Sequence, residues 1–247
     1  MNEDRIYSDE KRGDEPFRFD DSVASVFPDM LQRSIPGYSM SLEAVGSLAS
    51  RYVQAGTNCY DLGCSLGAAA LAMRQGIRAP DCRIIAIDNA PAMVERCRDV
   101  MAVDDDVAEA RTPVEVQLGD IEDAGIENAS MVVLNYTLQF LQPDRREALL
   151  RRAHDGLLRG GILLLSEKVV DEDPRMEELL VDLHHEHKRR NNYSALEISR
   201  KRAALENVLI PETVGAHRDR LARVGFQNSA VWLRCFNFVS IVAIRGT

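Results

Sequence analysis

The segment Cys59-Tyr60-Asp61-Leu62-Gly63-Cys64-Ser65-Leu66-Gly67-Ala68-Ala69-Ala70 constrains this chain more than any other. A short apolar run reaches an acid, breaks at a loop holding two glycines and resumes as an alanine-rich stretch. That order predicts a strand, a tight loop and a helix, the opening of a nucleotide-binding α/β unit. Glycines are needed there because the backbone turns sharply and a ligand approaches where a Cβ would collide.

Dinucleotide-binding proteins place G-x-G-x-x-G at this turn and seat a pyrophosphate on the helix N-terminus. Here the spacing is Gly63-x-x-x-Gly67, with Asp61 just ahead of the first glycine. A carboxylate aimed into the pocket repels pyrophosphate and suits a cation, such as a sulfonium-bearing amino acid with a free ammonium. The pattern resembles the first motif of the S-adenosylmethionine-dependent methyltransferase superfamily. The same residues also read G-x-S-x-G, the nucleophile elbow of α/β-hydrolases, which would make Ser65 a nucleophile activated by a later acid and histidine. Asp120, Asp171, His184 and His217 are available, but they form no clear strand-end set.

The methyltransferase pattern predicts a second acid after the next strand. Arg83-Ile84-Ile85-Ala86-Ile87-Asp88-Asn89 meets it, with Asp88 roughly 20 residues beyond the glycine loop, where a carboxylate meets ribose hydroxyls. Asp88 can also cap the helix that opens at Pro91. Val114 to Leu118 alternates as a strand and stops at Gly119-Asp120-Ile121, where superfamily members border the adenine. Met131 to Asn135 is a further apolar strand ending in a polar residue, and Ile162 to Ser166 is a fifth. Ala230–Cys235 and Phe238–Ile244 predict a closing antiparallel pair. Polar residues at successive strand ends lie where open α/β sheets bind ligands. The expected fold is a doubly wound, mostly parallel, seven-stranded α/β sheet.

Around that sheet, residues 1–15 are charged and aperiodic and predict a mobile tail, leaving 16–247 as a single domain. Residues 16–55 form a helical cap, since Val23, Val26, Phe27, Met30 and Leu31 fall at helical spacing before Pro36-Gly37. Residues 170–215 form a helical insertion before the last two strands. Within it His184 and His187 could share a helix face as metal ligands, but no acid or further histidine completes a triad. The stretch reads as a solvated charged face, and no metal is expected. The run Ser199-Arg200-Lys201-Arg202 places basic groups on a second helix of the insertion.

With 30 basic and 39 acidic residues, the chain carries a net charge of −9. Proteins that bind nucleic acid directly carry a basic footprint, so a small-molecule substrate is expected instead. No apolar run is long enough to cross a bilayer, and the charged start lacks a signal-peptide core. The five cysteines show no C-x-x-C spacing and read as small buried residues of a cytoplasmic protein.

A narrower likeness rests on Val26-Phe27-Pro28-Asp29-Met30, Gln32-Arg33-Ser34, Pro36-Gly37-Tyr38, Tyr60 to Ala69, Ile87-Asp88-Asn89, Asn128 to Asn135 and Cys235-Phe236-Asn237-Phe238. Taken together, these segments resemble the carboxy-S-adenosyl-L-methionine synthase family from about residue 16 onward. The resemblance implies a methyltransferase fold that does not methylate. It implies that prephenate supplies a carboxylate to the methyl carbon of S-adenosylmethionine, releasing phenylpyruvate, and that the product serves wobble-uridine modification of tRNA by a partner enzyme. It implies a homodimer. It also implies that Tyr38, Gly63, Cys64, Ser65, Asp88, Asn89, Asp120, Ile121 and Asn135 line the S-adenosylmethionine site, beside Asp61, and that Arg202 meets the transferred carboxylate. Arg200, Lys201 and Lys168 are further candidates for prephenate's own carboxylates.

Overall fold

A parallel sheet whose central strands are buried on both faces organises the molecule. The computed structural model describes residues 3–8, 16–107 and 112–246. Its elements run α1 Asp21–Ser34, α2 Tyr38–Tyr52, β1 Asn58–Leu62, α3 Ala68–Gly76, β2 Arg83–Asp88, α4 Pro91–Val107, β3 Val114–Leu118, β4 Ala129–Asn135, α5 Pro143–Gly156 and β5 Leu157–Val170. They continue with α6 Pro174–Arg190, α7 Ala195–Leu205, β6 Glu212–Thr213, α8 Val214–Val224, β7 Asn228–Cys235 and β8 Phe238–Ile244.

The strand order is β3-β2-β1-β4-β5-β8-β7, with β6 pairing off that path with β5. The sheet thus has eight strands where the sequence predicts seven. The addition is the two-residue β6, which pairs in parallel with Val169 and Val170. It has no signal of its own, because it exists only where the long β5 overhangs the edge. The β5–β8 and β8–β7 pairs are antiparallel, as expected of the closing pair.

Alternation along each strand splits the core in two. Tyr60, Leu62, Ile85, Ile87, Val132, Leu134, Leu163 and Leu165 face α5 and α8. Cys59, Ile84, Ala86, Met131, Val133, Ile162 and Leu164 face α2, α3 and α4. Strands covered on both faces tend to continuous apolar runs, as Ile84–Ile87 of β2 and Met131–Leu134 of β4 are. The chain reverses direction of winding between β1 and β4, which opens the crevice where such sheets hold ligands.

Two helices, α1 and α2, precede the first strand. Asp20 begins α1 by accepting the Val23 N–H at 3.0 Å, and Val23, Val26, Phe27 and Met30 bury its inner face. Helix α2 crosses α3 closely because glycines meet at the crossing. A Cβ on Gly76 would lie 2.0 Å from the Gly46 carbonyl oxygen.

Residues 3–8, part of the predicted mobile tail, are packed. Residues 1–2 and 9–15 lie outside the described residues. Asp4 is buried, accepts the Tyr193 hydroxyl at 2.5 Å and donates its own N–H to the Asp29 carboxylate at 2.7 Å. Arg33 donates to the Asp4 carbonyl at 3.1 Å, and Tyr7 joins the apolar cluster beneath α1. A segment held by single polar pairs leaves no periodic trace in the sequence.

Gly76→Ala should lower stability by about 1–3 kcal/mol, because the backbone of α2 cannot yield as a flexible side chain can. Urea denaturation checks this, and an unchanged midpoint would contradict the close crossing.

Candidate active site

The glycine loop is fixed to the sheet at both ends. Gly63 and Cys64 both donate their N–H to the Ile87 carbonyl, at 2.8 and 3.0 Å. Gly63 has φ +78°, and a Cβ there would stand 2.2 Å from Thr137 Cγ2. Gly67, at φ +82°, caps α3, where a Cβ would meet Met101 and Cys97. Between them Ser65 takes φ +48°, a strained value for a residue with a side chain.

Strand register then brings the acids together. Asp61 pairs with Ala86 on one side and Val133 on the other. Asp88 and Asn135 therefore sit two residues beyond Asp61's partners, on the same sheet edge. Asp61 is buried and accepts the Ala70 N–H at 2.9 Å. Burial, with Asp88 nearby, pushes its carboxyl up to about 7 despite that bond. Asp88 is also raised by burial, while accepting the N–H groups of Ser65 at 2.8 Å and Ala90 at 2.9 Å. It serves as a helix cap and a pocket wall together. Asp120 accepts the Glu122 N–H at 2.9 Å, opening a 3-10 turn at Ile121–Asp123.

One cavity of about 600 Å³ takes in Tyr38, Asp61, Gly63, Cys64, Ser65, Asp88, Asn89, Asp120, Ile121 and Asn135. Ten of the eleven residues singled out from the sequence thus line one cavity. The buried Asn135 Oδ1 has no hydrogen-bond partner among the described residues, so it awaits an N–H or O–H donor. Acids held in low dielectric beside an orphan acceptor fit a cationic ligand carrying donors. Tyr38, Tyr136 and Phe238 add an aromatic floor, with neighbouring ring centroids 6.3 and 6.1 Å apart.

The eleventh residue is Arg202. It is exposed on α7 and lies outside the cavity of its own chain. Arg200 is also elsewhere, donating to the carbonyls of Tyr7 and Ser8. The cations on the cavity wall are instead Lys168, Lys188 and Lys201, together with Arg145, which is exposed and paired with Glu122 at 2.8 Å. Lys188 and His184 come from the stretch predicted to be a solvated charged face, and both are buried. His184 bonds the Ser34 carbonyl through Nε2 at 2.9 Å and packs on Phe238, and burial holds its imidazole neutral. Sequence reasoning named Lys168 and Lys201 but missed Lys188 and His184, because which face of α6 would be covered depended on docking.

The nucleophile-elbow alternative finds no support here. No histidine is bonded to Ser65 Oγ among the described residues, and His217 lies outside the cavity. Hydrogen bonding with Cys97 and burial push the Cys64 thiol up, which leaves it unreactive. Among the described residues no group of three or more His, Cys, Asp or Glu could hold a metal ion, and no helix is long and apolar enough to cross a membrane.

Asp61 makes one prediction that needs no ligand. An acid whose folded pKa lies above its unfolded value favours folding at low pH and loses that contribution as pH rises through the folded value. Wild type should therefore lose stability relative to Asp61→Asn between about pH 4 and 8, with a slope of up to about 1.4 kcal/mol per pH unit inside that window. Parallel melting-temperature profiles for the two proteins would contradict the burial of that charge.

Comparison with known proteins gives a consistent result. A family model described as a methyltransferase domain matches residues 60–161. Human N-acetylserotonin methyltransferase, solved in complex with S-adenosylmethionine, superposes with a TM-score of 0.62 at 19% identity, over 92% of this chain and 56% of that one. This likeness shows the fold. The carboxy-S-adenosyl-L-methionine synthase of Citrifermentans bemidjiense is 55% identical over 93% of this chain and 93% of its own. That of Salmonella paratyphi C is 56% identical over 92% and 91%. With its glycine loop, its acids at successive strand ends and this degree of identity over nearly its whole length, the chain belongs to the carboxy-S-adenosyl-L-methionine synthase family.

Proposed function

We propose that this protein converts S-adenosylmethionine and prephenate into carboxy-S-adenosylmethionine and phenylpyruvate, supplying the carboxymethyl donor for wobble-uridine modification of tRNA. The observation that carries this reading is a single cavity with acids on one wall and lysines on the other. A conventional methyl donor site needs only the first wall. The second suits a co-substrate that is itself an anion.

S-Adenosylmethionine lies along the acidic wall. Asp88 and Asn89 take the ribose, Asp120 and Ile121 border the adenine, and Asp61, Asn135 and the loop Gly63-Cys64-Ser65 hold the charged amino-acid end, with Tyr38 closing over it. Prephenate loses its ring carboxylate as carbon dioxide and its ring hydroxyl as hydroxide, and the ring becomes aromatic. The hydroxide takes a proton from the sulfonium methyl group, leaving as water, and the methyl carbon attacks the carbon dioxide. Atoms balance with no side-chain nucleophile. The chain contributes proximity and the exclusion of water, for which the aromatic floor is suited.

The functional unit is a homodimer in this reading. Arg202, outside its own cavity, would then offer its guanidinium to the transferred carboxylate in the neighbouring subunit. Exposed Met176 and Leu179 on α6 and Leu196 on α7 support a subunit contact on that side.

Incubation with S-adenosylmethionine and prephenate should yield, by mass spectrometry, a product heavier by one carbon dioxide together with phenylpyruvate. Accumulation of S-adenosylhomocysteine instead would mark an ordinary methyltransferase. Asp61→Asn should weaken S-adenosylmethionine ten- to hundredfold, about 1.5–3 kcal/mol for a charge-assisted contact. S-adenosylhomocysteine, which lacks the sulfonium, should lose less. Equal losses by calorimetry would remove the role given to Asp61. Ser65→Ala should keep activity within tenfold, and complete loss would restore the nucleophile reading.

A further inference from the structure

The lysine wall carries a surplus of buried charge that the structure itself leaves uncompensated. Lys201 donates to Ser34 Oγ at 3.2 Å and stands 3.7 Å from the buried carboxylate of Asp4. The side chains of Lys188 and Lys168 have no hydrogen bond or ion pair among the described residues, and Lys188 and Lys201 are both buried. His184, the remaining ionisable group from α6 on this wall, is neutral. Asp4 and, beside Lys168, Glu177 are the carboxylates that act on these three ammonium groups, and neither forms an ion pair with Lys188 or Lys168.

Burial, with repulsion from Lys201 and Lys168, pushes Lys188 down to about 7; burial with Arg33 nearby pushes Lys201 down to about 8, and burial with Arg202 nearby lowers Lys168. An arrangement like this opposes folding, because desolvated like charges are costly unless something neutralises them. A ligand bearing two negative charges would do so. We propose that Lys168, Lys188 and Lys201 form a subsite for the two carboxylates of a dianionic co-substrate, with Lys188 as the central donor and Asp4 as the residue that positions Lys201. This assignment rests on the reaction proposed above. It gives residues 3–8 a purpose, since the N-terminal segment supplies the carboxylate that orients one of the three cations.

The test is calorimetric titration of prephenate into protein saturated with S-adenosylhomocysteine, which prevents turnover. Lys188→Met should bind prephenate at least tenfold more weakly, keep S-adenosylhomocysteine affinity within twofold, and melt at a higher temperature than wild type at pH 7, because an unpaired buried charge has been removed. Lys188→Arg should retain most of the prephenate affinity. Lys168→Met is the second variant and carries the same binding expectation should Lys188→Met not fold. Undiminished prephenate binding in both methionine variants would overturn the subsite alone. A parallel loss of S-adenosylhomocysteine would assign the lysines to its amino-acid carboxylate and overturn the proposal too. Failure of wild type to bind prephenate would overturn the subsite together with the reaction on which it rests.

Discussion

Division of charge inside one desolvated cavity governs the rest of this molecule. Asp61, Asp88 and Asp120 come from the ends of β1, β2 and just past β3, so the parallel sheet alone places them on one wall. Lys168, Lys188 and Lys201 come from β5, α6 and α7 and stand on the other. In low dielectric such charges interact far more strongly than in water, and burying them unpaired destabilises the fold. The perturbed carboxyl of Asp61 and the perturbed ammonium of Lys188 express that conflict from opposite sides.

The fold tolerates this conflict because a large apolar core supports it. Both faces of the central strands are closed by apolar side chains, and α2 and α3 approach to backbone contact through Gly46 and Gly76. One cluster of buried charges away from the cavity is paired internally. Arg146, fully buried, holds Glu212, which also accepts Arg220 at 2.6 Å. Perturbed ionisable groups gathered on one cavity are the signature of a ligand site.

How much of this was legible in the sequence follows from what positions each residue. The glycine loop, Asp61, Asp88, Asp120 and Asn135 were readable because strand ends and the turns that follow them are local features, and a parallel register carries them to one edge, whereas Tyr38, which opens α2, came only from the likeness to the family. Lys188 and His184 were not, because helical periodicity states that a face exists but not which neighbour covers it. The run from His184 to Arg190 looks like solvent-facing charge until α6 is laid against Ser34 and Phe238. Asp4 and Tyr7 were illegible for a related reason: isolated polar contacts between residues far apart in the chain, such as Tyr193 to Asp4, leave no pattern in either partner's neighbourhood. Arg202 is the opposite case. Likeness to the family singled it out, and the single chain turns it outward.

A crystal structure of the protein with S-adenosylhomocysteine and prephenate bound together tests the division of charge most directly. The account predicts the sulfur on the side of Asp61 and Asn135, the ribose hydroxyls on Asp88, and both prephenate carboxylates within hydrogen-bond distance of the lysine wall, Lys188 among them. A prephenate seated away from those lysines, or an adenosyl group with its ribose turned from Asp88, would contradict it.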